Sequence, residues 1–432
     1  MAFSFDLAVT LYRETRRMKR RSKVIRRRQR DICKSHEPPQ EIPFDLVIEI
    51  LTRLPPKSLM RFKSVSNIWS SFICSKYFTN HYLKASSPSP RLYMWLCFDN
   101  KKELLLSSSS SDLDVSTMSS FVVDQDLTIP AMEDYLVSHI FQGLMCFTNR
   151  QSAKIYNTST RQLVVLPDIE ESNIIAEDMT FKNFMYRIGH DAVHNQYKVV
   201  CIVSASKNGR ILKSLLEHWV FILGGVSNRW RKISSPCPPH DSPLKQRSTI
   251  NGRMYYLACE SLNYLLVSFD ISSEETRLLQ KPEDFFWHRY YINLIEYAGK
   301  IAIFVHADLV KDGVMELWVM EDEEKNIWSR KKLVLHPSQM DMVKNNADSP
   351  YLKFRGTTRN GDVILVPNNK ILRVIHGPIH VLPQGTTLFY VLLYNIQKNH
   401  LRRVEIEDGS NCFLNKRWDI IGLDDTENLM CL

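Results

Sequence analysis

Glycine and the short motifs that bind phosphate or metal are scarce in this sequence. It has 14 Gly in 432 residues, against 20 Phe, 17 Tyr and 8 Trp. The patterns G-x-x-x-x-G-K-[ST], G-x-S-x-G and H-E-x-x-H are missing, as are the Cys and His spacings of zinc sites. These absences predict a non-catalytic protein that needs no cofactor and no metal, and the aromatic content favours strands.

Paired cysteines and long apolar runs are also missing. The nine Cys include no C-x-x-C pair, which predicts reduced thiols and a location in the nucleus, the cytoplasm or both. No apolar run approaches the roughly 20 residues that cross a bilayer, and the apolar stretch 7–12 is too short for a signal peptide. We therefore expect no membrane partner.

Acidic residues are almost absent from residues 13–30, which hold eleven Lys or Arg and one acid, Glu14. This segment accounts for the net charge of +9, so the rest of the chain is close to neutral. We interpret residues 1–37 as a basic, disordered tail. Three interpretations stay open: a solvated tail without a partner, nucleic-acid binding, which the near-neutral remainder makes unlikely, or a nuclear-import signal formed by Arg16, Arg17, Lys19, Arg20, Arg21, Arg26, Arg27 and Arg28.

Residues 38–84 have helical periodicity. Leu46, Ile50, Leu51 and Leu54 recur as one apolar face, and Pro55-Pro56 ends this first helix. A second short helix is predicted to open at Pro56. Ser66 is a candidate N-cap for a third helix, in which Trp69, Phe72 and Ile73 are the apolar positions.

Three short helices make a poor core by themselves. Domains of about forty residues usually need a staple or a partner, yet this segment carries about a dozen large apolar residues. We therefore expect a second polypeptide to cover part of its surface.

After a linker at 85–90, residues 91–410 change to short β-branched or aromatic runs separated by turn residues. A Gly followed by an apolar strand recurs at Gly143, Gly252, Gly299 and Gly361, with room for one further unit near Tyr186–Trp230. A period near 50 residues predicts a kelch-like β-propeller, and a large β-sandwich is the alternative. Residues 411–432 are a separate C-terminal segment in this interpretation. The fold class is α+β multidomain: a small three-helix module followed by a large all-β domain.

A second repeated element consists of an apolar strand, an acidic or amide turn, and a basic or Trp-bearing strand. The turn residues of its four copies are Asn157, Asp270, Glu321 and Asn395. Gly189-His190-Asp191 could suggest an acid–base site, but we interpret it as a turn entering the next strand. The long loops predicted at 106–120, 234–247 and 341–351 are candidates for recognising a target, as loops commonly are.

The helical segment resembles the F-box. Its ordered matches are Ile42-Pro43-Phe44-Asp45-Leu46, Ile50-Leu51, Leu54-Pro55, Ser58-Leu59, Arg61-Phe62, Val65-Ser66-Asn67 and Trp69, where Ile42 replaces the usual Leu and Asn67 the usual Lys. The resemblance implies that a Skp-type adaptor binds this module. It also implies that the core and the adaptor face are formed by Pro43, Leu46, Ile50, Leu51, Leu54, Pro55, Leu59, Val65 and Trp69, without separating the two roles.

The region after residue 90 is similar to the plant F-box-associated family. The matching segments are 144–147 with 156–160, 189–191 with 197–200, and the strand pair 269–275. The two resemblances together imply the substrate-recognition subunit of a Skp–cullin–F-box ubiquitin ligase. Such a subunit reaches cullin and RING subunits through the adaptor, captures a protein substrate of unknown identity with its β domain, and performs no chemistry. The alternative is a basic-tailed scaffold or nucleic-acid-associated protein outside ubiquitination.

Overall fold

A computed structural model of the full chain divides it into two compact units, Met1–Ser87 and Pro88–Leu432. This division falls within the range predicted for the linker. The described residues are 42–85, 91–97, 103–109, 120–130, 135–149, 151–170, 172, 174, 181–207, 210–225, 227–234, 243–260, 263–282, 285, 291–344, 352–358, 360–367, 389–407, 417–424 and 428–430.

Residues 42–85, the described part of the first unit, form a helical module with four helices, one more than predicted. The missed helix is the last one. Ser75 caps it by accepting a hydrogen bond from the Phe78 backbone N–H at 3.2 Å, and Phe78 and Tyr82 are buried one turn apart. The helices are α1 (Phe44–Thr52), α2 (Pro56–Lys63), α3 (Asn67–Ile73) and α4 (Lys76–Ala85).

Aromatic side chains of α3 and α4 hold this module together. The Phe72 ring lies 5.1 Å from the Phe44 ring and 5.1 Å from the Phe78 ring, centroid to centroid. The Tyr82 hydroxyl donates to the Leu54 carbonyl at 3.2 Å, which ties α4 to the end of α1. The buried side chains of Phe72, Phe78 and Tyr82 each contribute roughly 1.5–3 kcal/mol of transfer free energy, so α4 is a main source of the module's stability.

The second unit is an all-β domain. Most consecutive strands pair in antiparallel hairpins with short turns, as the turn residues between the apolar runs predict. The strands are β1 (Arg91–Cys97), β2 (Glu103–Ser109), β3 (Ser120–Pro130), β4 (Leu136–Phe141), β5 (Leu144–Asn149), β6 (Ser152–Asn157), β7 (Leu163–Val165), β8 (Phe181–Asp191), β9 (Gln196–Lys207), β10 (Arg210–Ile222), β11 (Arg231–Lys232), β12 (Pro243–Ile250), β13 (Arg253–Glu260), β14 (Asn263–Asp270), β15 (Thr276–Leu279), β16 (Ile292–Tyr297), β17 (Lys300–Val305), β18 (Val314–Asp322), β19 (Ile327–Val334), β20 (Leu352–Thr357), β21 (Val363–Pro367), β22 (Phe389–Asn395), β23 (His400–Glu407) and β24 (Arg417–Asp424).

These strands form a β-propeller of five sheets, which confirms the predicted fold class. Four sheets have four strands each: β4–β7 (blade 1), β8–β11 (blade 2), β12–β15 (blade 3) and β16–β19 (blade 4). The fifth has eight strands in the order β20-β21-β22-β23-β3-β2-β1-β24. We call its first half, β20–β23, blade 5, and its second half, β24-β1-β2-β3, the closing half. The halves join through a parallel pairing of β23 with β3.

The C-terminal segment belongs to the propeller, so the boundary predicted at residue 410 is wrong. β24 pairs with β1 from Arg91 to Cys97, and the Ile420 side chain is buried in the sheet core. Joining the last strand to the first closes the ring without a free edge at the seam. In the sequence, this strand is only a short apolar stretch, because the strand it pairs with is more than 300 residues away.

The Gly repeat marks the turn between the first and second strands of a blade. Gly143, Gly252 and Gly299 have φ values of 74°, 75° and 76°, each after a residue that also has positive φ. Such a turn matches the twist of a β-hairpin. The unit expected near Tyr186–Trp230 is present as blade 2, in which β8 and β9 are joined by a different turn.

The second repeated element marks the turn between the third and fourth strands. The side-chain oxygens of Asn157, Asp270, Asp322 and Asn395 accept hydrogen bonds from backbone N–H groups two or three residues later. These short polar side chains close the turn in place of a backbone carbonyl. In blade 4 the capping residue is Asp322, one position after the Glu321 chosen from the sequence.

All three predicted loops overlap regular structure. Residues 106–109 are the end of β2, residues 243–247 lie in β12, and residues 341–344 end helix α6 (Pro337–Lys344), which follows the short helix α5 (Leu309–Asp312). The other residues of these three segments lie largely outside the described ones. No helix among the described residues is long and apolar enough to span a membrane.

Candidate functional site

Helix α1 has two apolar stripes, where the sequence interpretation placed one apolar face. Ile48 and Leu51 point into the module core, with exposed fractions of 7% and 2%. Leu46 and Ile50 lie on another side of the helix, with exposed fractions of 49% and 53%. At 100° per residue, Leu46 lies about 160° around the helix from Ile48. Leu46 and Ile50 therefore cannot pack into the core that buries Ile48 and Leu51. The second stripe therefore has no partner within the described module.

A second group of apolar side chains lies where α2 ends and α3 begins. Phe62 and Val65 have exposed fractions of 37% and 67%. Trp69 is half-buried and its ring centroid is 5.9 Å from that of Phe62. The Ser66 hydroxyl oxygen accepts a hydrogen bond from the Trp69 backbone N–H at 3.3 Å, which confirms the predicted N-cap and fixes this corner.

The residues predicted from the F-box resemblance now separate by exposure. Leu51 and Leu59 are buried, and Leu54 and Trp69 are half-buried. Pro43, Leu46, Ile50, Pro55 and Val65 are exposed. Ile42, Phe44 and Phe62 are also exposed and were not singled out, although all three lie within the matched motif. We call Ile42, Leu46, Ile50, Phe62 and Val65 the exposed apolar set.

Charged residues run along α1 beside its exposed apolar stripe. The Arg53 guanidinium contacts the Glu49 carboxylate at 2.5 Å one turn away, and both side chains are more than half exposed. An exposed pair of this kind contributes only about 0.3–0.5 kcal/mol. The pair therefore adds little stability, but it gives the exposed apolar stripe a polar border, like the rim of a protein–protein interface.

The predicted nuclear-import residues, from Arg16 to Arg28, lie outside the described residues.

Gly189-His190-Asp191 ends strand β8 and forms no acid–base site. The Asp191 carboxylate is fully buried and contacts the Lys198 ammonium at 2.9 Å and the His194 ring at 2.8 Å. Burial acts to raise the pKa of Asp191, but hydrogen bonds from Lys198, His194 and Ser272 outweigh it and hold that pKa well below its usual range. A carboxylate that stays ionised and fully bonded cannot serve as a proton shuttle.

The same ion cluster joins two blades. Lys198 on β9 donates to the Ile271 carbonyl at 2.8 Å and to the Glu274 carboxylate at 3.0 Å, both in the turn between β14 and β15. Arg231 adds a hydrogen bond of 2.7 Å to Glu274. The cluster is therefore a structural link between blades 2 and 3.

Comparisons with known families agree with both units. The family model described as F-box domain matches residues 40–81, and the model described as F-box associated beta propeller domain matches residues 93–426.

Similar proteins from Arabidopsis thaliana carry corresponding names. An F-box/kelch-repeat protein is 58% identical over 100% of both chains, and an F-box protein is 56% identical over 100% of both. An F-box/LRR-repeat protein is 38% identical over 91% of this chain and 88% of its own.

Proposed function

This chain belongs to the F-box proteins that carry an F-box associated β-propeller domain, and from that premise we propose that it is the substrate-recognition subunit of a Skp–cullin–F-box ubiquitin ligase. In this proposal the F-box binds a Skp-type adaptor and, through it, the cullin and RING subunits. The propeller holds the protein to be ubiquitinated. The chain contributes proximity, which turns a dilute encounter into a local one, and makes or breaks no bond.

One observation carries the proposal: the second apolar stripe of α1. Leu46 and Ile50 are each about half exposed, although they lie on the same helix as the buried Ile48 and Leu51. Covering apolar surface yields about 25 cal/mol per Å², and aromatic anchors such as Phe62 and Trp69 often carry most of the binding energy of an interface. A rigid helical partner surface from an adaptor would supply that cover.

The test is a binding titration of purified full-length chain with a plant Skp-type adaptor. Ile50→Asp should weaken binding at least about 100-fold, because a carboxylate would be desolvated in the interface. Val165→Asp is the matched control: Val165 is 60% exposed on strand β7 of the propeller. Adaptor affinity that is unchanged in Ile50→Asp would refute the docking surface.

We also propose that the basic tail directs the protein to the nucleus. The eleven basic residues between 13 and 30 support this as a charge pattern suited to import. A fluorescent fusion in which Arg16, Arg17, Arg26, Arg27 and Arg28 are replaced by Ala should move to the cytoplasm. An unchanged nuclear signal would contradict the role.

A further inference from the structure

The last strand of blade 4, β19, has an edge that no described strand covers. The last strands of blades 1, 2 and 3 have three, two and four residues, whereas β19 has eight. Strand β23 of blade 5 also has eight residues, but β3 pairs with its end. Among the described last strands, β19 therefore presents the longest unpaired edge, and such an edge is a template for a further strand.

The backbone groups along this edge point outward at every second residue. The Leu335 N–H donates to the carbonyl of Gly313, directly opposite in the ladder, at 2.9 Å, and the pairing continues without a bulge to Trp328. In an antiparallel ladder, bonded pairs alternate with pairs whose N–H and C=O groups face away from each other. Arg330 and Lys332 belong to the second kind, and no described group bonds to their outward backbone groups.

Contacts with the neighbouring blades fix both ends of the edge. At one end, the Trp328 indole N–H donates to the Gln280 carbonyl of blade 3 at 3.1 Å. At the other end, the Asn399 amide of blade 5 donates to the Val334 carbonyl at 2.7 Å. Residues 329–333 lie between these contacts and span roughly 17 Å at about 3.4 Å per residue. This length is enough for a short extended segment.

Positive charge concentrates in the same part of β19. Residues 325–340 include four Lys or Arg and no acid. The Arg330 guanidinium contacts the Glu316 carboxylate at 2.6 Å. Lys331 and Lys332 are exposed and form no ion pair with a described residue. Two cations along the edge are therefore available to an acidic ligand.

The Glu321 carboxylate of β18 does not neutralise these two cations. It is hydrogen-bonded to the Lys300 ammonium and the Ser329 hydroxyl, and these bonds, with the more distant charge of Lys331, hold its pKa below its usual value. The Lys331 ammonium lies over the Tyr297 ring, 4.8 Å from the centroid. The described residues along the edge therefore keep a net positive charge.

The charge of the edge decides which extended segment fits it. Backbone hydrogen bonds give such a complex its affinity, and side chains give it specificity. A second copy of β19 would place cations opposite cations, and like charges directly opposite destabilise a strand pair. An acidic segment would place Asp or Glu opposite Lys331 and Lys332, which stabilises the pair. The exposed side chains of Ile327 and Val334, at the two ends, suit apolar residues that flank the acids.

We propose that the outer edge of β19 binds an extended acidic segment of a partner protein as an additional strand of blade 4. The backbone of this segment pairs with Arg330 and Lys332, and its Asp or Glu side chains lie opposite Lys331 and Lys332. That the partner is the protein to be ubiquitinated rests on the function proposed above. The strand addition rests on the unpaired edge and its charge.

The test selects random short peptides displayed on phage against the full-length chain, alone and bound to a plant Skp-type adaptor. Acidic peptides should be enriched, and one of them is then titrated. Lys332→Glu should weaken its binding at least about fivefold, because an opposite-charge pair becomes a like-charge pair. Arg229→Glu is the matched control: it makes the same charge change at an exposed residue of blade 2 and should leave the affinity unchanged.

N-methylation of the enriched peptide tests the strand pairing without altering the protein. A strand added to β19 bonds to it at every second residue, so single N-methyl groups should abolish binding at alternate positions and be tolerated between them. On the protein, Lys332→Pro removes an outward N–H but no bond to β18. It should bind the peptide at least about tenfold more weakly than Lys332→Ala, which lacks the same charge and keeps the N–H.

Acidic peptides that depend on Lys332 and show the alternating sensitivity support the proposal. Absence of enriched peptides, unchanged binding to Lys332→Glu, or methyl sensitivity without alternation overturns it. Adaptor binding is measured on the same samples. Its failure refutes the ligase proposal, whereas intact adaptor binding without enriched peptides refutes only the strand addition.

Discussion

The F-box and the propeller hide their apolar side chains to very different degrees. Among the described residues, seven of the exposed large apolar side chains lie in the 44 residues of the helical module, and eight lie in the whole propeller. Those of the propeller are scattered over several strands and turns. Six of the seven in the module lie on or just before α1 or at the corner between α2 and α3, and the seventh, Tyr77, lies on α4.

The difference follows from size and architecture. A propeller sheet packs both faces against its neighbours, so second strands such as β5 and β17 are buried almost throughout. A module of four short helices has too little volume to bury every side. The exposed apolar surface of the F-box, more than that of the described propeller residues, suits the binding of a second chain, as proposed above.

The largest expected effect on stability distinguishes the buried apolar stripe of α1 from the exposed one. Leu51→Asp places a carboxylate in the module core, where the wild-type side chain is 2% exposed, and should cost more than about 3 kcal/mol. The helical circular-dichroism signal of the module should be lost while the propeller's thermal transition remains. Ile50→Asp, one residue away, should leave both transitions in place; joint unfolding of both units by Leu51→Asp would show that they are not independent.

The next effect concerns the buried ions that join blades 2 and 3. Lys198→Met leaves Asp191 buried without its main cation and should lower the free energy of unfolding of the propeller by about 3 kcal/mol. The double variant Asp191→Asn, Lys198→Met should recover much of that loss. Denaturant unfolding measures both, and a single variant as stable as wild type would contradict the linking role.

We expect the free energy of unfolding of the propeller to depend on pH through His306, with an effect no larger than that of Lys198→Met. Its ring is 4% exposed between Asn293 and the Leu352 carbonyl, and burial lowers its pKa from 6.5 to about 4. The unfolded chain therefore binds the proton more tightly, so the stabilising effect of neutral His306 is complete above about pH 6.5 and is lost as the pH falls toward 4.

His306→Gln should flatten the dependence of propeller stability on pH across that window. The exposed His81 of the F-box provides the control, because His81→Gln should leave the slope unchanged. Equal slopes in wild type and His306→Gln would show that other groups cause the acid sensitivity.

The smallest effect tests the C-terminal closure of the ring. Asn428 lies in a network with blade 1: its amide donates to the Gln142 carbonyl at 2.8 Å, and its carbonyl accepts from the Asn157 amide at 3.0 Å. Asn428→Ala should lower propeller stability by about 1–2 kcal/mol and leave the F-box unaffected. Thermal melting followed by the helical and the β-sheet circular-dichroism signals measures the two units separately; a lowered transition of the F-box would contradict this prediction.

Local signals in the sequence predicted most of the fold. In blades 1, 3, 4 and 5, a Gly lies in the turn between the first two strands and an Asn or Asp closes the turn between the last two. Both signals are local in the sequence, so the repeat could be predicted. Strand β24 was missed because its evidence is a pairing with β1 across the whole domain. Helix α4 was readable in principle from Ser75, Phe78 and Tyr82, but its apolar positions are few.

The sequence predicted only part of the candidate site. The F-box pattern singled out both Leu51 and Ile50, yet it could not separate them, because both are large and apolar and only packing decides which faces inward.

The most direct measurement is side-chain footprinting by hydroxyl radicals on the full-length chain, with and without a Skp-type adaptor. We expect Leu46, Ile50, Phe62 and Val65 to lose most of their reactivity when the adaptor is added, while Leu163 and Val165 of the propeller keep theirs. Unchanged reactivity of the F-box side chains in a sample where the adaptor is bound would contradict the claim that this face is the one it covers.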